Sequence, residues 1–296
     1  MDKKCKLKNN LFATVKNVEN LKNDYINHLK SLVKFSFPCI FDCANGGTSE
    51  IVKQLFPHQE KINIKPTGEN INQNSGCTNI EMLKTLCIKK QKIGFAFDGD
   101  GDRIHMVNTD GNIITGDKIL FILSQFLMNK NRICVGTIYT NSGLEESLLK
   151  RQIKLKRSAV GDKNVYKLMI ESNSNLGGED SGHIILKDIT NTGDGLLTAI
   201  ILANTLETSN KSINELLVNY HEHYQERKNI KISSSANMET ILNNISIQNF
   251  IKESEKIGAK IIIRPSGTEP LIRLFVEHQN KETAKRLLNK LSDLIS

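Results

Sequence analysis

The stretch KIGFAFDGDGDRIHMVNTDGNII, Lys92–Ile114, decides how this chain is read. Its first six residues form an apolar run that reads as a buried strand, and three carboxylates follow where that strand ends. Ligands of open α/β sheets collect at such strand ends. Glycines at alternate positions allow a tight backbone, so that Asp98, Asp100 and Asp102 converge, and oxygen ligands at this density suit Mg²⁺. A solvated polar turn is the plainer alternative, but the apolar strand holds the run at a sheet edge. A calcium-binding EF-hand fails, because Arg103 stands where that loop needs Gly and Thr109 where it needs Glu. A phosphatase with Asp98 as nucleophile and Asp100 as acid stays open, although Asp102 occupies the place where Thr or Val is wanted. Beyond the aspartates, His105–Val107 and Ile113–Ile114 read as a hairpin around Asp110-Gly111.

Working outward, the pattern alternates between strand and helix. Leu21, Tyr25, Leu29 and Leu32 follow helical spacing between Val18 and Leu32, which predicts an amphipathic helix. FPCIFDCANGG reads as a strand ending in a glycine turn, and TSEIVKQLF as a helix capped by Thr48 or Ser49. Asn79–Cys87 reads as the helix that precedes the Lys92–Phe97 strand. ITGDKILFILSQFL and TNTGDGLLTAIILAN share the form Thr-Gly-Asp before an apolar helix, with Asp117 and Asp194 facing the positive end of the helix dipole. Either a repeated domain or a common helix start accounts for that similarity. Between them lie a strand in RICVGTIYT, a helix in SGLEESLLKR and a strand in KLKRSAV that runs into Gly161-Asp162-Lys163. After Gln225 the order changes to KNIKISSS, a helix at Ile247–Ile257, AKIIIRPSG, LIRLFVEH and a closing helix. The expected architecture is therefore α/β: two consecutive domains, 17–112 and 113–225, then a smaller α+β domain at 226–296.

Composition narrows the partners. The chain has 296 residues, 39% of them hydrophobic, enough to bury real cores. Forty Lys and Arg against 32 Asp and Glu give a net charge of +8, which favours acidic ligands such as phosphorylated small molecules. Nucleic acid is disfavoured: the lysines are scattered, Trp is absent and aromatics are 5%, so stacking platforms are sparse. Six cysteines without paired or zinc-type spacing fit a reducing cytoplasm. No apolar run approaches the ~20 residues of a membrane helix.

Two further segments could carry chemistry. LGGEDSGHIIL offers Glu179, Ser181 and His183 on a glycine-flanked turn before a strand, a set suited to sugar hydroxyls, although a single His is more often structural. IIIRPSGTEPLIRLFVE gathers Arg264, Ser266, the Gly267 amide, Thr268 and Arg273 around one turn, combining guanidinium, hydroxyl and N–H donors as a dianionic phosphate demands.

Taken in this order, DGDGDR, GEDSGH and RPSGTEPLIR resemble the metal, sugar and phosphate loops of the α-D-phosphohexomutases. DCANGG, GENINQNSGCTNIEML, VGDKNVYKLM, NTGDG and PLIRLFVE extend the resemblance over nearly the whole chain, closest to members acting on glucosamine phosphates. The resemblance implies two mutase-type α/β domains with mixed sheets and a phosphate-binding C-terminal domain. It implies that Asp98, Asp100 and Asp102 ligate Mg²⁺ and that Arg103 contacts the transferring phosphoryl group. Glu179, Ser181 and His183 would hold sugar hydroxyls, and Arg264, Ser266, Gly267, Thr268 and Arg273 the phosphate not being transferred. Gly161, Asp162 and Lys163 would form a further substrate loop, with Lys163 where Arg is usual, which keeps the charge but loses the bidentate fork.

The resemblance also implies the activity: interconversion of the 6- and 1-phosphates of a hexosamine, or of glucose or mannose in neighbouring branches. Family members carry an N-terminal phosphoserine in a Ser-His-Asn-Pro loop, and these 296 residues contain no such loop. Residues 1–16 then read as the remnant of an interdomain segment. The expectation is a truncated or split enzyme, inactive until a separately encoded N-terminal domain complements it; an inactive sugar-phosphate-binding remnant is the alternative within the family.

Overall fold

Phe41, Phe95 and Phe97 lie on neighbouring strands with ring centres 5.7 and 6.3 Å from Phe41, and this stack founds the first sheet. The computed structural model describes residues 20–231, 241–266 and 270–295. Segment 1–16, Val18, Gly267 and Thr268 therefore lie outside the described residues. Strand β1 (Cys39–Asp42) runs parallel to β2 (Glu60–Ile62) and β3 (Ile93–Phe97). Strand β4 (Ile104–Val107) returns antiparallel to β3, and β5 (Ile113–Ile114) antiparallel to β4, which makes the sheet mixed. Period-two alternation sends Phe41, Phe95, Phe97 and Met106 to one face and Ile40, Ala96 and Val107 to the other. Helix α3 (Glu81–Lys90) covers the second face with Leu83 and Cys87.

The first face joins a core that continues into the second α/β unit. There β6 (Ile133–Thr137) lies parallel to β7 (Lys154–Ser158) and β8 (Leu176–Gly178), with β9 (Ile184–Leu186) antiparallel at the edge. Helices α4 (Gly116–Leu127) and α7 (Gly195–Ser209) are apolar almost all round and lie buried within that shared core. Helix α6 (Asp162–Ser172) closes the other side with Val165 and Met169. The remaining helices of these units are α1 (Leu21–Leu32), α2 (Thr48–Leu55), α5 (Ser142–Leu149) and α8 (Ile213–Leu216).

The C-terminal module is an antiparallel sheet in the order β10 (Tyr224–Lys231), β12 (Leu271–His278), β11 (Lys260–Pro265). Ile230, Ile272, Leu274, Val276, Ile261 and Ile263 face helices α9 (Ile245–Lys256) and α10 (Lys281–Ile295). The other face meets the second unit. There Glu277, only 1% exposed, accepts from Ser142 N at 3.0 Å and Gln225 Nε2 at 2.7 Å, and pairs with Lys260 at 3.0 Å. Each charge of this buried pair is hydrogen-bonded as well, the condition under which such a pair is tolerated. No helix among the described residues is long and apolar enough to cross a membrane.

The helix starts differ from expectation. Gly47 is the N-cap of α2, so Thr48 and Ser49 lie inside its first turn and neither caps it. The two Thr-Gly-Asp segments serve different registers. Thr115 stands at the N-cap of α4, whereas Asp194 itself caps α7 and accepts from Leu197 N at 2.9 Å. Asp117 is fully buried and accepts from Asn141 N at 2.7 Å, which ties the start of α5 to α4. Burial and the neighbouring Asp180 hold its carboxyl well above the usual carboxylate range.

The N-terminal helix finds its partner in α7. Tyr25 Oη donates to both Asp194 oxygens, at 3.0 and 2.8 Å. Hydrogen bonds to charged groups contribute about 1.5–3 kcal/mol. Tyr25→Phe is expected to destabilise the fold by about 1.5 kcal/mol, read as a lower urea midpoint with an unchanged slope.

Candidate active site

The aspartate run sits where β3 ends, and glycines set its shape. Gly101 has φ +80°, the left-handed region that glycine adopts without strain. Backbone bonds hold the run on both sides: Gly47 N donates to Gly99 O at 2.9 Å, and Gly195 N to Gly101 O at 2.9 Å. A Cβ on Gly46 would strike the Gly99 backbone, so the DCANGG turn can approach only as glycine.

Asp98, Asp100 and Asp102 each present a carboxylate oxygen within 4.8 Å of the others. Asp98 Oδ1 accepts from Arg103 N at 3.1 Å, and Arg103 Nε stands 3.6 Å from both Asp98 Oδ2 and Asp102 Oδ1. Asp102 Oδ1 is shielded from solvent and accepts no hydrogen bond among the described residues. Three converging hard oxygens, one of them orphaned, fit a divalent cation. Burial, with the charges of Asp102 and Asp100, pushes the Asp98 carboxyl up to about 6.

The GEDSGH loop is joined to this run directly. Ile104 N donates to Gly182 O at 3.0 Å, and Arg103 bridges His183 in antiparallel fashion. Gly182 has φ +95°, and a Cβ there would meet the Ile104 backbone. His183 is buried and turned toward the aspartate run. Its Nδ1 lies 3.1 Å from Asp102 Oδ2, and its Nε2 accepts from Gly193 N at 3.2 Å. Those partners define a neutral imidazole that donates from Nδ1, with both ring nitrogens engaged inside the protein. Glu179 Oε2 accepts from Gly161 N at 3.3 Å, bringing Gly161-Asp162-Lys163 beside the GEDSGH loop. Gly161 has φ +113°, and Asp162 and Lys163 are exposed at the start of α6.

On the C-terminal sheet, Arg264 on β11 and Arg273 on β12 stand directly opposite each other, and Asn229 flanks Arg273 on β10. Like charges in that position destabilise a sheet unless an anion lies between them. Neither arginine forms an ion pair among the described residues, and both Nε atoms are buried without a hydrogen-bond partner. Arg273 Nη2 reaches Ser266 Oγ at 3.4 Å. Across from them, Glu179 and Ser181 line the same cavity of about 650 Å³. The structure thus brings the GEDSGH loop and the paired arginines to one cleft, with the segment after the aspartate run bonded to that loop.

His105, Tyr139, Arg227 and Asn229 line this cleft too, although the sequence reading did not single them out. Tyr139 follows the strand RICVGT in what looked like one continuous strand. His105 sits in the hairpin with its Nε2 3.3 Å from Asp180 O, and burial lowers its pKa. None belongs to a compact motif; the pairing of β3 with β4, the pairing of β10 with β12 and the packing of Tyr139 on Phe275 bring them in.

Comparison with known proteins agrees with this layout. Residues 115–224 match the family model "Phosphoglucomutase/phosphomannomutase, alpha/beta/alpha domain III", and residues 225–294 match "Phosphoglucomutase/phosphomannomutase, C-terminal domain". The curated phosphoglucosamine mutase of Thermotoga petrophila is 38% identical over 262 residues, covering 86% of this chain and 60% of that protein. That of Bacillus velezensis is 37% identical over 286 residues, covering 92% and 63%. The chain therefore spans 60–63% of the length of these curated relatives. Among solved structures, Aspergillus fumigatus N-acetylphosphoglucosamine mutase in complex with GlcNAc-6P and magnesium superposes with a TM-score of 0.73 at 17% identity, covering 92% of this chain and 68% of that one. A phosphoglucomutase/phosphomannomutase family protein of Burkholderia thailandensis gives 0.72 at 20% identity, covering 92% and 63%. At these identities the likeness is one of fold.

The raised pKa of Asp98 has two opposite consequences. Because the folded state holds this proton more tightly than the unfolded chain, the group adds stability to the metal-free protein as pH falls through about 6. A divalent cation held there would need the carboxylate, so any affinity for Mg²⁺ is expected to fall about tenfold between pH 7.5 and pH 5. Calorimetric titration at the two pH values checks this, and Asp98→Asn should abolish the difference.

Proposed function

This chain belongs to the α-D-phosphohexomutase family, and on that premise we propose that it forms the metal-binding and sugar-phosphate-binding part of a phosphoglucosamine mutase. The observation that carries the reading is the pair Arg264 and Arg273, unneutralised among the described residues, facing Glu179 and Ser181 across one cleft. A phosphorylated hexosamine matches that polarity: its phosphate meets the cationic wall and its hydroxyls meet the acidic one.

In this proposal the arginine pair, with Ser266, Gly267 and Thr268 of the same turn, binds the phosphate that stays on the sugar. Glu179 and Ser181 take hydroxyls and orient the ring, while Gly161, Asp162 and Lys163 border the sugar loop. His183 fixes Asp102 rather than reaching the sugar, since both its ring nitrogens are engaged. Asp98, Asp100 and Asp102 would hold Mg²⁺, which neutralises charge on a phosphoryl group in transfer. Arg103, beside those carboxylates, would contact the same phosphoryl group. Transfer from a phosphoserine to the free sugar hydroxyl, reorientation of the bisphosphate and return of the other phosphoryl group would complete the isomerisation. The serine lies on a segment outside these 296 residues, on the same polypeptide or a separate one, and the reaction is placed in the cytoplasm.

Two measurements test the proposal. The chain alone should bind glucosamine 6-phosphate, and Arg264→Ala should weaken binding at least about tenfold, the loss typical of one charge-assisted contact. Together with a segment bearing a Ser-His-Asn-Pro phosphoserine and Mg²⁺, it should convert glucosamine 6-phosphate to the 1-phosphate faster than glucose or mannose 6-phosphate. Absence of any conversion by that combination would count against the activity, and faster turnover of glucose or mannose phosphate against the amino-sugar assignment.

A further inference from the structure

The cleft carries one guanidinium more than the RPSGTEPLIR segment supplies. Arg227 lies on β10 with Phe275 as its cross-strand partner, two residues from Asn229, which pairs with Arg273. Directly opposed residues in an antiparallel sheet point to the same side, so Arg227, Arg273 and Arg264 share the face toward the cavity. The Arg227 guanidinium carbon stands 5.6 Å from the Phe275 ring centre and 5.9 Å from that of Tyr139. Arg264 stacks on the same Tyr139 ring, 5.4 Å from its centre.

An exposed arginine is ordinarily solvated or paired with a carboxylate. Arg227 instead donates to the neutral Gln225 Oε1 at 3.2 Å, and among the described residues it forms no ion pair. Glu277, a buried carboxylate on this face, is committed to Lys260, Gln225 and Ser142. The two rings pack against the Arg227 guanidinium, which limits the rotamer freedom lost on binding, while N–H groups not used by Gln225 remain for an oxyanion. Two guanidinium groups around one ring, with a third opposite, repel one another until an anion enters.

We infer that Arg227 is a third anion-binding guanidinium of this cleft, which together with Arg264 and Arg273 receives the dianionic phosphate of a phosphorylated sugar. The inference rests on the reading of the cleft as a sugar-phosphate site. Tyr139 is the positioning residue of the arrangement, because it supports two of the three cations from the second α/β unit.

Calorimetric titration of the whole chain with glucosamine 6-phosphate separates the two ideas. Arg227→Ala is expected to bind about tenfold more weakly, Arg227→Lys to recover part of the loss, and Arg227→Glu to bind weakest, with melting temperatures close to that of the parent. Binding by Arg227→Ala and Arg227→Glu at the parent's affinity, while Arg264→Ala loses it, would overturn the role of Arg227 and leave the sugar-phosphate site standing. If the parent chain does not bind, or Arg264→Ala binds as well as the parent, the sugar-phosphate reading falls and the role of Arg227 with it.

Discussion

The site depends on a single seam, where Ile104 N donates to Gly182 O as the strand after the aspartates passes the GEDSGH loop. No side chain fits between the two backbones, and Gly182 adopts a left-handed conformation to make the contact. Because β4 follows the aspartate run by one residue, this seam fixes the run relative to the GEDSGH loop. His183 and Asp102 add a side-chain bond across it. The helix starts reinforce the same line: Gly195 of α7 bonds to Gly101, and Gly116 of α4 bonds to Asp180 O. A Cβ on Gly116 would strike Glu179 O, and one on Gly195 would strike Arg103 O. The two Thr-Gly-Asp segments thus share a physical role, since each brings a helix N-terminus against a functional loop, although their caps differ.

The C-terminal sheet is organised in rows. Gln225, Glu277 and Lys260 form the first, a buried polar group that fastens the module to the start of α5. Arg227 and Phe275 begin the second, packed on Tyr139. Asn229, Arg273 and Arg264 form the third, open to the cavity. The rows run from anchored to exposed along one face, while the alternate residues of the same strands make the hydrophobic core behind it. A period of two therefore assigns each strand both a structural and a binding face. The repulsion among the arginines opposes folding, and the Glu277 anchor and the aromatic stacking act against it; local rules are commonly broken in this way at binding sites.

Much of this was legible in the chain. The apolar run before Asp98, the Asp-Gly turn and the alternation in LIRLFVEH gave β3, the hairpin and β12, because burial on one face dictates those patterns. The glycine-rich runs marked the loops, since only glycine permits such close backbone approach. Other features were not legible. Thr48 and Ser49 resemble caps, yet the close approach of Gly47 to Gly99 makes the glycine the cap and draws both hydroxyls into the helix. His183 resembles a sugar ligand in GEDSGH, but the packing of Gly193 against its ring turns it inward.

By itself the sequence determined which residues could serve: the carboxylates spaced by glycine, the turn with its two arginines, and the strands whose apolar periodicity fixes their facing. It did so because spacing and side-chain chemistry are local properties. Only the tertiary structure decided which of them meet. Arg264 stands opposite Arg273 because β11 and β12 pair in that register, and Tyr139 and Arg227 join them because the second unit docks on that face. Docking depends on contacts between residues more than a hundred positions apart, as Ser142 and Glu277 are, and no local pattern encodes them.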